Sequence, residues 1–159
     1  MTDSIYDAVE KVRNIFNIKE FPGDFFSILN SYDYIEEFGL FLFKEDIGKL
    51  SGFMGYGPEN MTAICVNYKR SYGHQNFTLA HEIGHWFLHK GKSMADADKD
   101  LSNYRSALER EANRFAGELL YPEKCIDRDF KYALEKNLFD EKCRAELGRF
   151  IMLDNTCYI

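Results

Sequence analysis

His81 and His85 stand four residues apart in the segment His81-Glu82-Ile83-Gly84-His85. On a helix that is about one turn, so both imidazoles leave one face and can bind one metal ion. Glu82 is rotated roughly 100° from His81, too far to join the same ligand set comfortably. It is well placed to take a proton from a water that the ion activates. This is the chemistry of a zinc hydrolase, with the ion as Lewis acid and the carboxylate as general base.

Two histidines do not complete such a site, because a catalytic zinc takes three protein ligands and keeps a position open. His89 continues the series, but on a continuous helix it lies about 12 Å along the axis from His81. With zinc–nitrogen bonds of about 2.0–2.1 Å, one ion cannot take both, which leaves His89 as a supporting or core-edge histidine. A three-histidine version would want histidine at position 91, where the chain has Gly91. His74 precedes the motif and could approach it, but spacing gives no warrant for ligation.

Carboxylates on the next helix are the other source. In Glu109-Arg110-Glu111-Ala112-Asn113-Arg114-Phe115-Ala116-Gly117-Glu118 the candidates are Glu109, Glu111 and Glu118. Leu108, Ala112, Phe115, Ala116 and Leu119 mark the apolar face. Glu111 flanks that face, and Glu118 falls nearly on the same line two turns later, so periodicity does not choose between them. Asn113 and His89 are candidates for supporting hydrogen bonds.

The elements that must hold these residues can be read from pattern and punctuation. Asp3 or Ser4 caps a first helix with an Ile5, Val9, Val12, Phe16 stripe, and Pro22-Gly23 breaks the chain before a short helix from about Asp24 to Leu29. Three apolar segments, Phe38 to Phe43, Leu50 to Tyr56 and Thr62 to Tyr68, read as strands of a small sheet. The glycines at 52, 55 and 57 suit the middle one to an edge, where an extended peptide could pair with it. Asn76 is the expected N-cap of the motif helix and Gly91 its stop. Phe77, His81, His85 and Leu88 share one side of this helix, and Leu79, Ile83, Trp86 and Phe87 occupy much of the other. A long helix is expected from about Asn103 to Leu120, ending before Pro122. Two amphipathic helices follow, near Glu123 to Lys136 and Asp140 to Leu153. The Asp96, Asp98, Asp100 alternation between the motif and carboxylate helices lacks the Gly and Glu that a calcium loop needs, and reads as a solvated loop.

The chain has 159 residues, 45% hydrophobic and 16% aromatic, enough for one domain with its own core. A net charge of −6 argues against direct nucleic-acid binding, which favours a basic face. No apolar run approaches the roughly 20 residues of a membrane span. The N-terminus lacks a basic, apolar leader pattern, and Cys65, Cys125, Cys143 and Cys157 form no C-x-x-C pair. A reduced, cytoplasmic protein is the expectation.

Phe77 to His85 and Glu111 to Pro122 resemble the two signature blocks of the ImmA/IrrE family of metallopeptidases. The resemblance is specific across about residues 62–122 and looser elsewhere; Tyr121 departs from it, since methionine is more usual there. It implies an α+β, zincin-like single domain over 1–159, with a small, about three-stranded sheet packed on the HExxH helix. The zincin-like core would span about 38–122 and further helices about 123–153. It also implies that His81, His85 and Glu111 bind one zinc ion and that Glu82 is catalytic.

The function expected on this basis is a zinc metalloendopeptidase. Its protein substrate would be a separate helix-turn-helix repressor, cleaved to relieve repression in a mobile-element, phage or stress circuit. The competing expectation is a zinc-containing binding module that sequesters a repressor or antitoxin uncut. Intact ligands together with Glu82 argue against a purely degenerate enzyme, and a structural zinc would want four protein ligands.

Overall fold

The computed structural model describes residues 4–19, 22–30, 37–90 and 101–136. Helix α1 (Ile5–Ile15) opens with a reciprocal cap: the Ser4 hydroxyl accepts from the Asp7 N–H, and the Asp7 carboxylate accepts from the Ser4 N–H. The short α2 (Phe25–Asn30) starts at Asp24, whose carboxylate accepts from the Ser27 N–H and hydroxyl. Strands β1 (Leu40–Glu45), β2 (Gly52–Tyr56) and β3 (Thr62–Asn67) follow, then α3 (Tyr72–His89), α4 (Leu101–Leu120) and α5 (Glu123–Glu135). The α+β class and the three-stranded sheet match the expectation. The expected solvated loop at 92–102 and the helix at 140–153 fall largely or wholly outside the described residues.

The sheet order is β1-β3-β2, with β3 parallel to β1 and antiparallel to β2. β3 is therefore central and mostly buried, and β2 lies at an edge, as its glycines suggested. Alternation sends Leu40, Ile64 and Val66 into the core, while Phe41, Phe43 and Phe53 stay exposed on the opposite face. The core side of the sheet receives α3 through Leu79, Ala80 and Ile83, none of which is exposed. Gly52 permits this approach: a Cβ there would stand 2.4 Å from Thr78 Cγ2 and 2.8 Å from the Cys65 carbonyl oxygen.

On its other flank α3 packs on α4, and α1 packs on α4 in turn. Val9, Val12 and Phe16 of α1 share one core with Phe115, Ala116 and Leu119 of α4. The buried Arg13 guanidinium donates to the Leu119 carbonyl at 2.6 Å, which serves one of the helix-end carbonyls left without an intrahelical partner. Among the described residues, no helix is long and apolar enough to cross a membrane.

The motif helix begins earlier than the sequence suggested, with Ser71 in the N-cap position rather than Asn76. Asn76 is buried inside α3, and its side chain ties α2 to the helix. Its Nδ2 donates to the Gly23 carbonyl at 2.7 Å, and its Oδ1 accepts from the Phe25 N–H at 3.3 Å. An amide pinned by tertiary contacts is not available to cap.

Candidate metal centre

Helix α3 presents His81 and His85 on the side away from Ile83, with Glu82 on the adjoining flank, all three half-buried. The distance between α3 and α4 is set at Gly84. A Cβ on this residue would stand 3.0 Å from Phe115 Cδ1 and 3.4 Å from both the Cα and the carbonyl oxygen of Ala112. Such close approach brings the polar flanks of α4 up to the histidines.

The Nε2 atoms of His81 and His85 are 3.0 Å apart. Glu109 completes a triangle, with Oε2 3.3 Å from His81 Nε2 and Oε1 3.4 Å from His85 Nε2. Ligand atoms of the three residues lie within 4.8 Å of one another, a group able to hold a metal ion. Tetrahedral ligands with bonds of about 2.0–2.1 Å to one ion lie roughly 3.4 Å apart, close to these separations.

The far nitrogens decide what faces this triangle. Asn113 Oδ1 lies 2.9 Å from His81 Nδ1 and accepts its proton, so His81 turns the Nε2 lone pair inward. His85 Nδ1 is 2.9 Å from His89 Nδ1, and His89 Nε2 donates to Glu111 Oε2 at 3.0 Å. With the proton of the His85–His89 contact on His85 Nδ1, the Nε2 lone pair of His85 would also face inward. Burial, reinforced by His81, lowers the His85 pKa in spite of the opposing pull of Glu109, which favours the neutral ring. Two lone pairs and a carboxylate converging on one point match the donor chemistry of a zinc-type cation, and the residues fit such an ion.

His81 and His85 come together, with Glu82 beside them. Glu111, the carboxylate implied by resemblance, stands on His89 rather than on the pair, and the carboxylate at the pair is Glu109. Residues two apart on a helix point about 200° apart, so only one of these two could reach a given spot. The packing of Ala112 and Phe115 on Gly84 fixes which. One sequence signal pointed the same way: Asn113 lies four residues after Glu109, so an acceptor for a histidine and a carboxylate share one flank. Glu118 lies apart, accepting from the Glu123 N–H at the start of α5. His74 Nε2 is 2.8 Å from Ser51 Oγ, and Tyr72 bonds Asp24.

Burial, with the Glu109 carboxylate nearby, pushes the Glu82 carboxyl up to about 7. A cation between the histidines would draw it back down. The charge of Glu82 also reaches Tyr56 at the end of β2, whose phenol is raised first by burial and then by that charge. The edge strand therefore ends in the neighbourhood of Glu82.

Residues 35–148 match the model of the IrrE N-terminal-like domain, a peptidase family. Metallopeptidase ImmA of Bacillus subtilis (strain 168) is 26% identical over 103 residues, which amount to 65% of this chain and 60% of that protein. The chain thus spans less than two thirds of the curated relative it matches.

Proposed function

This chain belongs to the IrrE N-terminal-like domain family of peptidases, and from that premise we propose that it is a zinc-dependent endopeptidase. The observation that carries the proposal is the convergence of His81 Nε2, His85 Nε2 and the Glu109 carboxylate within 4.8 Å, beside a carboxyl group held up to about 7. His81, His85 and Glu109 would hold the one ion. A second assignment, with Glu111 as third ligand, rests on the resemblance between signature blocks and is opposed by the 3.0 Å bond that engages Glu111 with His89.

When bound, the ion supplies Lewis acidity toward the scissile carbonyl and lowers the pKa of water in its open position. Glu82 accepts a proton from the attacking water and delivers it to the leaving amine. Asn113 holds the His81 ring through Nδ1. Strand β2, at the edge of the sheet among the described residues and ending near Glu82, would pair with an extended peptide.

The substrate we propose is a separate helix-turn-helix repressor acting in the cytoplasm, and the role is relief of its repression. Support for this part is the family resemblance alone. Incubating the purified, zinc-loaded protein with a repressor encoded beside it tests the reading. Fragments that disappear with a chelator and with Glu82→Gln are expected. A stable complex of intact chains would instead establish the binding module.

A further inference from the structure

We propose that Gly55 and its neighbours on the outer face of the sheet form a specificity subsite. It selects a large apolar side chain, aromatic or branched aliphatic, on the extended peptide that pairs with β2. The subsite rests on the peptidase reading above and on β2 as the strand that receives the peptide. The ladder sets which groups of β2 meet that peptide. The Gly57 N–H donates to the Met61 carbonyl and the Asn67 N–H to the Ser51 carbonyl, each at 2.8 Å. Between these bonds Phe53 stands opposite Cys65 and Gly55 opposite Ala63, so alternation assigns Phe53 and Gly55 to hydrogen bonds with β3. Gly52, Met54 and Tyr56 then turn their N–H and carbonyl groups toward the edge.

Side chains follow the same alternation. Phe53 and Gly55 share the outer face with Cys65 and Ala63 of β3 and with Phe43 and Phe41 of β1. Across Cys65 the Phe43 and Phe53 rings meet edge to face, with centroids 6.5 Å apart, and the cysteine is fully buried. The next row, Phe41, Ala63 and Gly55, ends in a gap. Among the described residues nothing lies within 4 Å of where a Gly55 Cβ would stand. Phe53 bounds this gap along the strand and Phe41 lies across the sheet, the two rings being 41% and 37% exposed. In an antiparallel added strand, the peptide residue opposite Gly55 forms a non-hydrogen-bonded pair, in which Cα atoms approach to about 4.5 Å and side chains come closest. With no Cβ on Gly55, a bulky side chain there lies over the strand toward Ala63 and against Phe53, covering aromatic surface that water now meets. No side chain of this row is polar, so a charged residue would be set there without a partner. The next residue, Tyr56, ends β2 in the neighbourhood of Glu82, which puts the selected side chain at a fixed, short offset from the cleaved bond.

Binding and cutting are read separately. A synthetic library of short, proline-free peptides is incubated with the zinc-loaded Glu82→Gln protein, and the retained peptides are sequenced. Phe, Tyr, Leu or Ile should be enriched over Ala at one aligned position by about 5-fold, the upper range for a cross-strand aromatic pair. Gly55→Val in the same background fills the gap with a residue suited to strands, at a position without positive φ and with open space around the new side chain. It should shift the selected position to small residues while keeping the unfolding midpoint. Phe53→Ala, which truncates an exposed ring and needs no new room, should flatten the preference. Wild-type protein given the same library should cut at a constant offset from the enriched position. Absence of enrichment, or a preference unaltered by both Gly55→Val and Phe53→Ala, overturns the subsite. Enrichment that responds to these changes, with no cleavage by the wild type, overturns the peptidase reading and leaves the subsite to a peptide-binding module. Cleavage with no apolar preference does the reverse.

Discussion

The two faces of α3 are built by different rules. On the back face Leu79, Ala80 and Ile83 are fully buried against the sheet and the α1 core. Their contribution is area removed from water, which is non-directional and tolerant of small shifts. On the front face His81, Glu82 and His85 are half-buried, and each ring nitrogen has a defined partner at 2.9–3.4 Å. What the front face needs is direction, and it takes that direction from side chains of α4 and from His89. The contrast teaches that the stability of the helix and the aim of its histidines come from different neighbours. The two should be separable by mutation except at Gly84, where sheet-bearing helix and carboxylate-bearing helix touch.

The largest expected effect is on the front. Glu82→Gln should lower peptide turnover by about 10²–10⁴-fold, the range for loss of a general base, with zinc affinity and unfolding midpoint kept. Undiminished turnover in steady-state assays would remove Glu82 from the chemistry. On the back, Ile83→Ala should cost about 2–5 kcal/mol of stability in denaturant titrations. Below the unfolding transition it should leave zinc affinity near that of the wild type; a parallel loss of affinity would erase the distinction between the faces. Gly84→Ala should break the separation, costing about 1–3 kcal/mol by overpacking against Phe115 and Ala112 and weakening zinc binding as α4 is pushed away. Normal affinity there would mean that the helix spacing does not set the site.

A smaller effect is expected away from both faces, at the α2 cap that Asn76 ties to α3. Burial tends to raise the Asp24 carboxyl, but the hydrogen bonds from Ser27 and Tyr72 and the charge of Lys44 outweigh it, and its pKa is lowered on folding. Its contribution is therefore present above the ordinary carboxylate pKa and is lost as pH falls through the lower folded value. Asp24→Ala should cost about 0.5–2 kcal/mol at neutral pH, and the gap to wild type should narrow below about pH 4. A constant gap across that range would show that the cap does not depend on charge.

Much of this arrangement could be read from the sequence because it is local. The His81–His85 spacing, the apolar back of α3 and the three strand-like segments each follow from short-range periodicity. The parallel pairing of β1 with β3 could not, since a short apolar strand carries no mark of its neighbour. Asn76 reads as a cap in sequence, and only the approach of Gly23 and Phe25 occupies its side chain. The choice between Glu109 and Glu111 depends on the rotation of α4 about its own axis. That rotation is fixed by Gly84, Ala112 and Phe115, whose contact joins residues far apart in the chain.

The sheet order carries a kinetic consequence. β2 and β3 are joined through the short turn at 57–61 and can zip as a hairpin, a step of about 1–10 μs. β1 must then add in parallel from beyond the hairpin, pairing Leu40 with Thr62, a slower closure of a longer loop. Until it does, the edge of β3 is open, and Phe41 and Phe43 have no strand to hold them in place. Refolding at high protein concentration should therefore lose material to intermolecular strand pairing at this stage, before α3 has a finished sheet to pack against.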